Sequence, residues 1–247
     1  MTEAAQIAWM PVLDVVRGLA VQQSPNGVCY APFGHTHLPA LDLERMVQAV
    51  PASIAAALQR RAYCFVPLVL GESEETMVAP DYSVEWSDRA TCHRNATVSG
   101  SEYTFISTRL MHDRFALAFE FFINVGHHFV DAVGVPEGFS NLVWAQAQAD
   151  VRGETSQDAW ESRRQAQAAR NAVDEKARSE YLTAAFSDAV AIYLLSLTVD
   201  FDYSELRERG YPLLAPQALA ERLRATAELF PPNAGYEFAI RSRRRSG

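Results

Sequence analysis

The chain has 247 residues, 49% of them hydrophobic and 21% charged, with a formal net charge of −8. That length and apolar content supply a full hydrophobic core, and the acidic balance argues against a broad nucleic-acid surface. No apolar run approaches the ~20 residues of a membrane span, and MTEAAQIAWMPVLDVV lacks the basic-then-apolar pattern of a signal peptide. Cys29, Cys64 and Cys92 are odd in number, widely spaced and without a CxxC, as expected of free thiols in a reducing cytoplasm.

Residues 8–22 predict a short helix, and the Pro- and Gly-rich stretch 23–40 a loop. A helix is expected over 41–61. The run RAYCFVPLVLG (61–71) is β-branched and aromatic and reads as a strand. Further strands are expected at ETMVA, YSVEW and SEYTFISTRL, with the turn VSGSE (98–102) pairing ATCHRNATV with EYTFIST. The remainder reads as helix over 112–133, 139–172, 174–199 and 215–229, with Gly134 and Pro136 stopping the first of these and Pro231-Pro232 the last. The expected architecture is α+β. It is one globular domain over 1–240, mixed over 1–110 and helical over 111–240. A basic tail over 241–247, with Arg241, Arg243, Arg244 and Arg245, is expected to be disordered and solvated.

The helix at 115–133, FALAFEFFINVGHHFVDAV, is the most informative segment. Its only polar side chains are Glu120, Asn124, His127, His128 and Asp131. At about 100° per residue these fall within an arc of roughly 100°. The other faces are apolar, so the helix is expected in the core. Its polar stripe must then find partners, as a chemical site or as a satisfied network.

Ile123-Asn124-Val125-Gly126-His127-His128 resembles H-E-x-G-H-H, the string that opens the zinc helix of zincin-fold metallopeptidases. There, two histidines at i and i+4 bind zinc and the glutamate activates the metal's water. Tyr181 to Leu194 resembles the second helix of that fold, whose acidic third ligand falls at Asp188. The segment WAQAQADVRGE (144–154) is a further weak likeness. The resemblance covers about residues 100–200 and implies a zincin-like α+β fold. The departures are chemical. Ile123 stands at the first ligand and Asn124 at the general base, and neither side chain can do that work. The resemblance therefore implies a metallopeptidase-like protein with a lost or rebuilt metal site. A rebuilt site would be a metal-dependent hydrolase acting on a small molecule or peptide. Its ligands for zinc or another divalent transition metal would be His127, Asp131 and Asp188, with Glu120 or His128 as acid/base. The alternative is a non-catalytic interaction protein whose helix face is a buried polar network.

Three other constellations carry less. Gly34-His35-Thr36-His37-Leu38-Pro39 resembles the last metal motif of calcineurin-type phosphoesterases, but the upstream motifs of that family are missing. His112-Asp113 resembles the pair of the HD phosphohydrolases without a convincing first histidine, and Asp113 suits a helix N-cap. Cys92-His93 would need a distant partner to form a nucleophile and base. The stretch 154–178 is polar nearly all round and is expected as a solvated connecting helix or helical hairpin.

Overall fold

The computed structural model describes residues 9–70, 75–111, 113–168, 174–206 and 210–240. The fold is α+β, as the sequence predicts. The chain divides into two units, Met1–Phe121 and Phe122–Gly247, and the boundary falls inside one long helix. Among the described residues no helix is long and apolar enough to cross a membrane.

The first unit opens with β1 (Met10–Pro11), α1 (Val12–Gly18), β2 (Gln22–Gln23) and β3 (Cys29–Pro32). Next come α2 (Ala40–Gln48), α3 (Ala52–Ala55), β4 (Arg61–Val66), β5 (Leu68–Leu70) and β6 (Met77–Ala79). Then follow α4 (Val84–Ser87), β7 (Ala90–Thr91), β8 (His93–Val98), β9 (Ser101–Ser107) and the start of α5 (Arg114–Val133). One sheet has the order β2-β3-β4-β9-β8, with β3, β4 and β9 parallel and β8 an antiparallel edge. A smaller antiparallel sheet has the order β1-β6-β5-β7.

β4 is the centre of this unit because it is apolar on both faces, as an inner parallel strand must be. Tyr63 and Phe65 point to one side, where both rings meet Phe121 of α5 at 5.1 and 5.6 Å. Cys64 and Val66 point to the other and pack with Val12, Val15, Val69, Val78 and Phe105.

Several boundaries differ from expectation, each for a local reason. The stretch 41–61 is not one helix. Pro51 has no N–H to extend the α2 ladder and instead precedes α3. Pro67 likewise cuts 61–71 into β4 and β5, which join different sheets. The expected loop 23–40 contains β3, and YSVEW holds the short helix α4 rather than a strand. The hairpin is where the sequence puts it. Val98 pairs with Ser101 across Ser99 (φ 52) and Gly100 (φ 80), the doubly left-handed turn that suits strand twist.

The second unit takes the rest of α5, then α6 (Glu137–Gln148), α7 (Gln157–Ala168), α8 (Glu175–Ser196) and α9 (Pro216–Leu229). Gly134, left-handed at φ 75, ends α5, and Pro136 caps the entry to α6. The expected helix 139–172 is split by the segment between α6 and α7. α8 is buried on every side, from Tyr181 and Phe186 to Val190 and Tyr193, which makes it the central helix. Asp174 caps it by accepting from the N–H groups of Lys176 and Ala177. The expected basic tail 241–247 and His112 lie outside the described residues.

Candidate functional site

The polar stripe of α5 divides. Glu120 falls in the first unit, with its Oε1 2.5 Å from Nδ1 of His93. Burial, and then the Glu120 charge, push the Cys92 thiol above its ordinary value, away from nucleophile duty. The other four stripe residues belong to the second unit. Asn124 and His128 are buried, whereas His127 and Asp131 are exposed one turn apart. Glu120 is part-buried and His128 is buried.

α5 and α8 cross closely at Gly126. A Cβ built there would lie 2.6 Å from the Ser187 carbonyl oxygen. Glycine is required by that backbone approach, and the crossing puts the next residue of each helix, His127 and Asp188, within electrostatic reach of each other. Burial pushes the Asp188 carboxyl above its ordinary value of 3.8. Hydrogen bonds from Ser156 and Thr155 and the nearby His127 charge pull it back. The Thr155 hydroxyl donates to Asp188 Oδ2 at 2.7 Å. Asp188 is thus a carboxylate held by neighbouring hydroxyls, with the exposed His127 imidazole within electrostatic reach.

Those hydroxyls sit on a segment held by a network that the sequence reading missed. Glu154 is fully buried. Its Oε2 accepts from Arg222 Nη1 at 2.8 Å, and its Oε1 accepts from the Tyr181 hydroxyl at 2.6 Å and from Arg163 Nη1 at 3.2 Å. Arg222 Nε donates to Gln146 Oε1 at 2.8 Å. Burial pushes the Arg222 guanidinium down, but Glu154 outweighs it and keeps the group charged. Arg163 also donates to the carbonyls of Val151 and Gly153. The Glu154 backbone is clamped as well: its N–H donates to Pro212 and its carbonyl accepts from Leu214. Gly153 (φ 82) is packed so tightly that a Cβ would meet the Leu213 oxygen at 2.1 Å, leaving no room for a side chain. A buried charge needs this degree of pairing. The solvated helix expected over 154–178 is therefore corrected: Glu154 and Thr155 precede α7 in the core, and α7 buries Ala159, Arg163 and Ala166. One signal was readable. Arg222 lies in the apolar stripe of α9, with Ala218, Leu219 and Thr226, and an arginine there implies a buried anion.

The remaining candidates fall in the first unit. His35 forms an exposed pair with Asp81, Nδ1 to Oδ1 2.5 Å, in the first unit, and His37 is exposed at φ 58. Asp113 accepts from the Ala116 N–H, as an N-cap does. Among the described residues no set of three His, Cys, Asp or Glu side chains is disposed to hold a metal ion. Of the expected ligands, Asp188 already accepts from Thr155 through Oδ2, and Asp131 is exposed one turn along α5 from the exposed His127. Comparison with protein-family models, curated proteins and solved structures gives no match to the chain.

Proposed function

We propose that the chain is a metallopeptidase-like protein of zincin-like build whose peptidase site has been lost, and that it acts by binding rather than by cleaving. The observation that carries this is the placement of His127 within electrostatic reach of Asp188 at the Gly126 crossing. These are the second and third ligand positions of the resembled motif, and they come within electrostatic reach although they lie 61 residues apart in sequence. The order of elements supports the same reading: an antiparallel edge strand, a parallel strand and then the motif-bearing helix, as β8, β9 and α5. What stops the chemistry is the residue at each remaining role. Ile123, on the His127 face one turn earlier, has no lone pair for a metal, and Asn124 has no basic oxygen for water. Asn124 and His128 are buried. The free-thiol composition fits residence in the cytoplasm.

The test is to restore the missing ligand. Ile123→His places imidazoles at i and i+4 opposite Asp188. After incubation with zinc and desalting, plasma mass spectrometry is expected to find well under one zinc per wild-type chain. Ile123→His should hold close to one, and Ile123→His with His127→Ala should fall back to the wild-type level. A folded Ile123→His protein that holds no more zinc than wild type would sink the assignment.

A further inference from the structure

The second unit contains a cavity of about 610 Å³ away from the helix crossing. It lies between the C-terminal end of α8, the first half of α9 and the irregular segment 231–240. That segment is fixed at two points. The Tyr193 hydroxyl donates to the Phe230 carbonyl at 2.6 Å, and the Phe238 ring packs edge-on against Tyr193 at 5.3 Å. Phe238 thereby becomes a wall, while Ile192, Leu219 and Leu223 line the cavity with aliphatic surface. The volume is in the range of small-molecule sites, which are mostly apolar with a few placed polar groups.

Three charged groups line the cavity, Asp200, Arg224 and Glu237, all exposed, and Asp200 is already engaged in a contact of its own. Neither Arg224 nor Glu237 makes a hydrogen bond or ion pair with another described residue, and they do not reach each other within 4.0 Å. An unpaired guanidinium and an unpaired carboxylate beside the aliphatic lining of one cavity complement a ligand bearing both a carboxylate and an ammonium. A simple fatty acid would leave Glu237 unanswered, and a simple amine would leave Arg224 unanswered. We propose that this cavity binds a small hydrophobic zwitterion. Its carboxylate lies on Arg224, its ammonium on Glu237 and its apolar body against Ile192, Leu219 and Leu223. The proposal is independent of any metal at the α5–α8 crossing.

The probe is tryptophan, titrated calorimetrically into the full-length protein beside tryptamine, which lacks the carboxylate, and indole-3-propionate, which lacks the ammonium. Tryptophan should bind best, with each analogue about five- to tenfold weaker, the scale of one charge-assisted contact near the surface. Arg224→Gln should abolish the preference for tryptophan over tryptamine, and Glu237→Gln the preference over indole-3-propionate. Both residues are exposed, so both variants should keep wild-type circular dichroism. Leu223→Arg, which fills the cavity, should remove binding of all three. Equal affinity for the three probes would make the cavity a non-selective apolar pocket and overturn the assignment. So would the absence of any tryptophan binding, or variants that leave the preferences unchanged.

Discussion

Replacing Gly126 by alanine sets two effects against each other at the α5–α8 crossing. Within a helix, alanine is better than glycine by about 1 kcal/mol. Against this, the new methyl group would lie 2.6 Å from a backbone oxygen, with ordinary contact beginning at 3.4 Å, and 3.4 Å from the Ala191 nitrogen. Neither neighbour is a side chain that can rotate away, so the helices themselves must part. Overpacking of a rigid contact costs about 1–3 kcal/mol, and backbone against backbone belongs at the upper end. The net expectation for Gly126→Ala is a loss of about 1–2 kcal/mol. Gly138 in α6 is the internal control. A Cβ there meets nothing within 4 Å, so Gly138→Ala keeps only the conformational gain and should be stabilising by about 0.5 kcal/mol. Urea denaturation followed by circular dichroism reads both. With a slope of about 1–3 kcal/mol per molar, the Gly126→Ala midpoint should fall by roughly 0.5–1 M while that of Gly138→Ala holds or rises. A Gly126→Ala midpoint at or above wild type would refute the close crossing, and with it the reason for His127 lying near Asp188.

Three other outcomes follow from the same geometry. Glu154→Gln leaves Arg163 and Arg222 buried without their anion and should destabilise the protein by about 3–5 kcal/mol, read as a large drop in thermal midpoint; a change below 1 kcal/mol would mean that the network is not sealed. The Asp188 carboxyl is raised above 3.8 in the folded protein, so the folded state binds its proton more tightly than the unfolded state. Its contribution is full below 3.8 and is lost as pH climbs through the folded value. Wild type should therefore lose stability relative to Asp188→Asn as pH rises across that window, and parallel pH profiles would contradict it. Burial pushes the Cys64 thiol up to about 12, so a thiol reagent at pH 8 should label exposed Cys92 in the native protein and Cys64 only after denaturation; native labelling of Cys64 would contradict its place at the centre of β4.

What could be read from the sequence was what local chemistry decides. The α5 stripe, the Gly134–Pro136 stop and the hairpin at Ser99-Gly100 each rest on a few adjacent residues. The interruptions at Pro51 and Pro67 were visible as letters, but apolar runs continued through both and concealed the breaks. β3 was too short, at four residues, to stand out from its Gly- and Pro-rich surroundings. Within the candidate site, His127 and Asp188 came from motif likeness, whereas Thr155 and Ser156 had no signal of their own. Arg163 looks like any surface arginine among the polar residues of α7. Only the tertiary meeting of α6, α7, α8 and α9 with the Glu154 segment turns it inward, and no window of neighbouring residues contains that information.

The Glu154 network also dictates an order of assembly. Its carboxylate and the Arg222 guanidinium are 68 residues apart, so their meeting closes a long loop and comes late on entropic grounds. During synthesis Glu154, Arg163 and Tyr181 all emerge before α9, and for that interval the acid lacks its strongest donor. Docking of α9 supplies that donor, so the unit cannot seal its interior until synthesis has passed Arg222. A nascent or truncated chain ending before Arg222 would expose an unfinished polar centre and the apolar faces around it, the kind of surface on which folding helpers and quality-control proteases act.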